Sequence, residues 1–274
     1  MRQLSISAAV LALLGLAVLT ACDDDSPAEP LSEATAVAFA DQAMNDADQD
    51  IGHARAPGIP GLRFPRRIFQ IGSGDTPDCP QEASGTWVCT HEGFGGLQGS
   101  TRITFFDESG AAQDAYDEAL TASVQIQSEM EGTFDRGRFS GSMSRTRDLT
   151  VSGLAGEETV RIWNGTTHGS STRTHTGGEL AGEEISTTSM STIEDLSLPL
   201  PENETGPWPL SGVITTEMSA TGGRRDRDHT VIITFDGTQF ATVSVDGVEM
   251  TVDLAARLGG GHHGIGPGQG GGGS

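Results

Sequence analysis

Positive charge, aromatic residues and cysteine are all scarce in this chain. Of its 274 residues, 16 are Lys or Arg and 38 are Asp or Glu, which gives a formal net charge of −22. Nucleic-acid phosphates are bound by basic surfaces, so this charge argues against a nucleic-acid partner. It argues equally against electrostatic docking on anionic lipid. The simplest role of the charge is to keep the protein soluble.

Long apolar runs are also scarce, because residues 4–19 form the one such run. No later segment is long and apolar enough to be predicted as a bilayer span. The run follows a short start that carries one positive charge, at Arg2. A charged start before an apolar stretch is typical of an export signal. An uncleaved anchor helix is one alternative, and a plain secretory signal is the other.

The run ends in Leu19-Thr20-Ala21-Cys22, which resembles a lipobox, the signal at which bacterial lipoproteins are acylated on cysteine and cleaved. An ordinary signal peptidase prefers small residues at both −3 and −1, and Leu19 fits that rule poorly. The resemblance implies a chain that is cut before Cys22 and anchored through lipid on that cysteine. Two or three acyl chains hold a protein stably on a membrane.

The chain has three cysteines, and lipid on Cys22 would leave Cys79 and Cys89. An exported protein stays in an oxidising compartment, where two remaining cysteines predict a disulfide. Nine residues separate the pair, with a predicted turn at residues 83–85. A bridge that closes this loop contributes about 2–3 kcal/mol in the chain-entropy model. A metal or redox pair is the alternative, but it needs CxxC-like spacing or further ligands, and the sequence has neither.

From residue 67 to residue 258, threonine, serine, valine and isoleucine dominate, and apolar residues recur with a period of two. Residues 139–151 have one partly apolar face and one wholly polar face, the pattern of a half-buried strand. Two Asp-Gly pairs, at 236–237 and 246–247, join alternating runs and are strong hairpin signals. The predicted strands are residues 101–107, 124–134, 139–151, 159–164, 185–195, 211–219, 230–235, 240–245 and 248–254.

These strands predict an all-β domain built on an extended antiparallel sheet, either open and curved or a partly closed barrel. Aromatic residues make up only 5% of the chain, and many strands are polar on one whole face. A sheet with one face in water fits this composition better than a two-sheet sandwich. Residues 111–120 combine helix-forming composition with strand-like neighbours, so they stay ambiguous.

Four parts are predicted: a signal peptide at residues 1–21, a lipidated tether at 22–66, the β domain at 67–258 and a Gly-rich flexible tail at 259–274. Both termini are predicted to be disordered, and the tail ends in a Gly-Gly-Gly-Gly-Ser composition that engineered linkers share. The tether contains one short helix, predicted over residues 33–49. The apolar face of this helix is formed by Ala36, Phe39, Ala40, Ala43 and Met44.

Several segments of the β domain resemble an uncharacterised group of bacterial envelope lipoproteins. The similar pieces are the Cys79–Cys89 pair with the Gly-rich loop after it, RDLTVSGL at 147–154, RIWNGT at 161–166, WPLSG at 208–212 and FDGTQ at 235–239. The resemblance spans most of the domain and implies one all-β unit behind a lipidated cysteine. It implies no activity and no functional residues.

Catalytic signatures are missing from the sequence: it has no GxSxG elbow, no HExxH, no P-loop and no Rossmann fingerprint. A glycosidase pair is defined by the distance between two carboxylates across a cleft, which a sequence does not give. The sequence therefore predicts a protein that is not an enzyme, with no catalytic residues and no cofactor.

No metal site is predicted either. Asp46, Asp48 and Asp50 have the spacing that opens an EF-hand loop, but Ile51 and Pro57 occupy the positions that need Gly and Glu. These carboxylates are predicted to be a solvated acidic helix end. The seven histidines are scattered along the chain and form no ligand pattern.

Two further features have both a structural and a functional interpretation. Residues 224–229, Arg-Arg-Asp-Arg-Asp-His, are predicted to be a charged hairpin tip, with a contact patch for an acidic partner such as lipopolysaccharide phosphate as the alternative. Trp163 and Trp208 are predicted to pack in the core, with a stacking platform for sugar as the alternative.

Taken together, the sequence predicts a membrane-anchored lipoprotein of the bacterial cell envelope that acts as a structural or surface-interaction protein. The first alternative is a carrier whose apolar sheet face holds a lipid or other hydrophobic ligand, as periplasmic lipoprotein carriers do. The second is an envelope polysaccharide hydrolase. An exposed apolar concavity would favour the carrier, and two carboxylates across a cleft, one with a raised pKa, would favour the hydrolase.

The expected partners are a membrane, through lipid on Cys22, and an unknown envelope partner or hydrophobic ligand. Asp23 resembles a signal that retains lipoproteins in the inner membrane of enteric bacteria. That rule does not hold for all bacteria, and the outer membrane is favoured over the inner membrane here.

Overall fold

A computed structural model describes eight stretches of the chain, and all structural statements below concern them. They are residues 33–53, 79–92, 97–135, 139–156, 158–176, 182–200, 208–222 and 227–258. Helix α1 spans Glu33–His53 and helix α2 spans Leu254–Leu258. The strands are β1 Trp87–Glu92, β2 Leu97–Phe106, β3 Ala112–Gln113, β4 Ser123–Asp135, β5 Phe139–Ser152, β6 Val160–His175, β7 Glu184–Pro199, β8 Ser211–Thr221, β9 Arg227–Phe235, β10 Phe240–Val245 and β11 Val248–Asp253.

All eleven strands belong to one antiparallel sheet, and apart from β3, which pairs only with β2, their order in the sheet is their order in the chain. The sheet begins at β1 and ends at β11, so it is open. This confirms the prediction of an all-β fold on an extended antiparallel sheet, and it selects the open form over a closed one. Apart from β3, consecutive strands of the chain are neighbours in the sheet, as in a meander.

Some elements differ from the predicted ones. β1, β3 and α2 were not predicted, and residues 111–120 form turns and the two-residue β3 rather than a helix. β6 continues to His175, well beyond its predicted end at residue 164. Gly165 and Gly169 interrupt the apolar alternation in that stretch, and glycine weakens a strand signal because it has no side chain to pack.

The two faces of the sheet differ sharply, and the strand register defines them. We call the face that packs against α1 the inner face and the opposite face the polar face. On the inner face, Ile103 of β2 pairs with Ile126 of β4, which pairs with Leu149 of β5. All three are at most 8% exposed. Further buried inner-face residues are Val124, Val151, Ile193, Ile214, Val231, Ile233, Val243 and Val245.

Glycines on the inner face let neighbouring strands come close together. Gly141 pairs with β6 and Gly165 pairs with β5. A Cβ atom at either position would overlap a carbonyl oxygen of the adjacent strand, at Thr172 and at Asp148 respectively. Gly165 also has a φ of 145°, which side-chain-bearing residues rarely adopt. These positions therefore require glycine.

Helix α1 packs on the inner face, where it contacts β9 and β10. Its buried side chains are small or flexible: Ala36, Ala40, Ala43, Met44 and Ala47 are at most 3% exposed. The predicted apolar face of the helix is confirmed, with Phe39 partly buried beside it. The sequence assigns this helix to the tether of residues 22–66. The structure instead packs it on the β domain, because its alanine face lets the helix approach the sheet closely.

Several predicted features lie outside the described residues. They are the signal peptide, Cys22 with the start of the tether, and the Gly-rich tail at 259–274. Among the residues that are described, neither helix is both long enough and apolar enough to cross a membrane.

Candidate functional site

The structure joins Cys79 and Cys89 in a disulfide, with the two Cα atoms 4.2 Å apart. Cys89 lies on β1 and is 1% exposed. The predicted turn between them is present, and Gly85 has a φ of 83° there. The bridge fastens the chain ahead of β1 to the edge of the sheet.

The tryptophans pack in the core. Trp163 is 2% exposed, and Trp208 is partly buried against the core residues. A ring this deeply buried does not offer a face to a sugar, so Trp163 is not a stacking platform. The indole Nε1 of Trp163 has no hydrogen-bond partner.

Among the charged residues singled out in the sequence, Asp46 and residues 227–229 have different surroundings from those predicted, and the side chains of Asp48 and Asp50 lie outside the description. Asp46 of α1 is not a solvated helix end, because its carboxylate lies 3.4 Å from the guanidinium of Arg145. Arg227, Asp228 and His229 belong to strand β9 rather than to a hairpin tip, while residues 223–226 lie outside the described stretches. Within those stretches, no group of three or more His, Cys, Asp or Glu side chains is arranged to hold a metal ion.

Charge is divided between the two faces of the sheet. All 16 basic residues of the chain are arginines. The described arginines Arg145, Arg147, Arg173 and Arg227 lie in inner-face positions of the strand register. The described strand carboxylates on the polar face are Glu129, Glu131, Asp135, Asp148, Glu184, Glu194, Glu217, Asp228, Glu249 and Asp253.

One described strand arginine, Arg102, lies on the polar face, and Glu82 holds it through two hydrogen bonds of 2.6 and 3.1 Å. These bonds raise the pKa of the Arg102 guanidinium. The polar face is therefore acidic and rich in hydroxyl groups, while most described strand arginines lie on the inner face. The alternation of the strands produces this division, since neighbouring residues point to opposite faces.

A trough with a volume of about 550 Å³ lies across β6, β7, β8 and β9. Its lining comes from two rows of the polar face and from the row between them, Gly169, Ser189, Met218 and His229. In the first row, His168 pairs with Met190, Met190 with Glu217, and Glu217 with Thr230. The second row contributes Thr188, Ser219 and Asp228. The volume is in the range of small-ligand sites.

The edge of the trough is fixed by Asp246, at the turn between β10 and β11. Its carboxylate accepts a hydrogen bond of 2.8 Å from the Thr230 amide and lies 2.6 Å from Nδ1 of His229. Burial alone would raise the pKa of Asp246, but the bonds from His229 and the Thr230 amide outweigh burial and leave the pKa below its usual value.

His229 also connects the sheet to the helix. Its side chain is 9% exposed, and its ring centroid lies 3.9 Å from that of Phe39 on α1. Its Nε2 atom is buried and has no hydrogen-bond partner. One imidazole therefore contacts the helix on one side and holds the β10–β11 turn on the other.

A general acid needs a raised pKa, but the carboxyl groups whose pKa values are shifted here have lowered ones. Asp107, Asp236 and Asp246 all have lowered pKa values; hydrogen bonds with Ser109 and Thr238 lower the first two. A glycosidase acid carries a raised pKa, so that it holds a proton at working pH. None of these three groups fits that role.

The trough was not predicted from the sequence. Its residues come from four strands and the β10–β11 turn, and only the strand register brings Met190 beside Glu217. The single local signal is Met190 itself, a large apolar residue on the otherwise polar face of its strand.

No family model, no curated protein and no solved structure matches this chain.

Proposed function

We propose that this chain is a membrane-anchored lipoprotein of the bacterial cell envelope whose β domain is non-enzymatic and presents its polar face to a partner. The observation that carries the proposal is the contrast between the two sheet faces. The inner face is packed against α1 and holds buried apolar residues such as Val231 and Ile233, both 0% exposed. The polar face offers hydroxyls and carboxylates to its surroundings.

The anchor in this proposal is the lipid on Cys22, and it rests on the lipobox resemblance of residues 19–22. The helix begins at Glu33, eleven positions after Cys22 in the sequence. The helix packs on the inner face of the sheet that follows it, so it belongs to the body of the domain. The outer membrane remains the favoured location.

The carrier alternative receives no support from the described residues. A carrier needs an apolar surface that is open to its ligand. The described large hydrophobic residues that are exposed are Leu120, Met190, Ile232, Phe240 and Val248. Met190, Ile232 and Phe240 occupy polar-face positions, whereas Val248 occupies an inner-face position and Leu120 lies outside the strands. The hydrolase alternative is likewise unsupported, because the shifted carboxyl pKa values are lowered.

Palmitate labelling tests the anchor. Cells that express the full chain are grown with radiolabelled palmitate, alongside cells that express Cys22→Ser and a Cys79→Ser/Cys89→Ser control. We expect label in the wild type and in the control, no label in Cys22→Ser, and membrane association only where label is found. A wild type without label, or a Cys22→Ser variant that keeps it, would refute the lipoprotein proposal.

Native mass spectrometry tests the non-carrier part. The Cys22→Ser protein, exported and gently purified, is expected to have the mass of the chain alone, reduced by two hydrogens for the disulfide. A stoichiometric excess mass that denaturation removes would instead favour the carrier, and its value would begin to identify the ligand.

A further inference from the structure

We propose that the trough on the polar face binds alkylammonium groups, the class of group that the lysine side chains of a basic polypeptide carry. This inference rests on the proposed function, in which the polar face meets a partner, and it names the chemistry of that partner. The trough supplies two carboxylates for the ammonium and one apolar side chain for its methylene stem. Each of these comes from a different strand.

The carboxylates are those of Glu217 on β8 and Asp228 on β9. Glu217 pairs with Thr230, and Asp228 pairs with Ser219, so the two acids are diagonal neighbours on one face. Diagonal neighbours in an antiparallel pair have Cα atoms about 7–8 Å apart. An ammonium carries three donors and no acceptor. A single ammonium between the two side chains can therefore donate to both carboxylates.

The apolar part of the trough is Met190, which is 41% exposed. It pairs directly with Glu217, so the two side chains start from adjacent positions of the polar face. A methionine side chain is flexible and adapts to an apolar surface, and the four-carbon stem of lysine is such a surface. Because Met190 can contact the alkyl chain, the trough should bind an alkylammonium group more tightly than a bare inorganic cation.

Two further lining residues favour the same ligand. Ser219 and Thr230 add hydroxyl oxygens that accept hydrogen bonds from an ammonium. Among the lining residues that the structure describes, none is an arginine, so no guanidinium competes for the carboxylates. An anionic ligand would face repulsion from Glu217 and Asp228 with no described arginine beside it.

The polar face is acidic well beyond the trough, so attraction of a basic peptide to the whole face has to be separated from binding in the trough. Two double variants separate these effects, because each removes the same number of negative charges. Glu217→Gln/Asp228→Asn removes two negative charges inside the trough. Glu131→Gln/Glu249→Gln removes two from exposed positions of the same face outside it. Only the location differs between the two variants.

The probe is acetylated, amidated pentalysine, titrated by calorimetry into the mature chain with Cys22→Ser at low ionic strength, where exposed charges are least screened. We expect the trough variant to weaken the dissociation constant about three- to tenfold, as the loss of two exposed ion pairs predicts. The control variant should change it by less than about twofold. Circular dichroism checks that every variant is folded.

A second pair of variants tests the apolar contact. Met190→Ser should weaken pentalysine binding about two- to threefold, whereas Ile232→Ser, at 39% exposure on the same face, should have no effect. If the trough and control variants weaken binding equally, the trough proposal is overturned and only a general attraction to the face remains. Absence of pentalysine binding to the wild type overturns it as well. The palmitate experiment stands apart, since it fails only if the anchor proposal fails.

Discussion

Asp46 of α1 and Arg145 of β5 form an ion pair of 3.4 Å between the helix and the inner face of the sheet. Their side chains are only 23% and 12% exposed. A partly buried pair is screened less than a surface pair, and the loss of one partner leaves a charge in a poorly solvated place. The contact therefore helps to hold a helix whose other buried side chains are mostly alanines.

Asp46→Asn should lower the free energy of unfolding by about 1–2 kcal/mol, between the values for exposed and for fully buried pairs. Urea unfolding of the mature chain with Cys22→Ser measures it. Glu131→Gln removes an exposed carboxylate from the polar face and should change stability by less than about 0.5 kcal/mol. Equal effects of the two substitutions would show that the helix does not depend on this pair.

Asp246 predicts a pH dependence of stability. A carboxyl whose pKa is lower in the folded chain than in the unfolded chain adds stability above its unfolded pKa, which is about 3.9 for Asp. That stability is lost as the pH falls through the folded pKa. Since the pKa of Asp246 is lowered, its contribution should be fully present at about pH 6 and should shrink below about pH 4.

Comparison of the wild type with Asp246→Asn checks this prediction. Asn preserves the shape of the side chain and tolerates the φ of 49° at this position. Urea unfolding at several pH values should give a difference between the two proteins that decreases as the pH falls. A difference that stays constant down to about pH 2 would rule out the carboxylate as its origin.

Much of the sheet could be predicted because its signals are local. The strand at residues 240–245 was predicted with the bounds that β10 has, since an Asp-Gly turn precedes and follows it. The strand at 139–151 was predicted because its alternation is unbroken, and β5 extends it by one residue. In both strands the polarity of each residue indicates which face of the sheet its side chain occupies.

The candidate site could not be predicted, because it depends on relations between strands. Met190 lies beside Glu217 only through the β7–β8 register, and β-bulges shift the register elsewhere in β7. The docking of α1 was missed for a related reason. An alanine-rich helix after an acidic, proline-bearing stretch reads as part of a tether, and only the inner face of the sheet gives its alanines something to pack against.

Reduction of the Cys79–Cys89 bridge should destabilise the protein. The bridge closes a loop whose ends are ten residues apart in sequence, and a loop of that size contributes about 2–3 kcal/mol in the chain-entropy model. Urea unfolding with and without reductant should show this loss in the Cys22→Ser protein. A variant that also lacks Cys79 and Cys89 should be insensitive to reductant, and any remaining sensitivity would mean that the loss has another source.

Gly165 should tolerate substitution far less than other glycines with a positive φ. Gly165→Ala would add a Cβ that overlaps the carbonyl oxygen of Asp148, at a φ of 145°. We expect the free energy of unfolding to fall by more than about 3 kcal/mol, or the variant to fail to fold, because a paired strand cannot shift enough to relieve the backbone strain and the overlap.

Gly156→Ala is the matched control, since Gly156 has a φ of 62° and open space around its Cβ position. It should cost only about 1–2 kcal/mol, the strain of the left-handed region alone. Urea unfolding measures both, with soluble yield as the readout if the first variant does not fold. Similar losses for the two variants would mean that conformation rather than strand contact makes glycine necessary at 165.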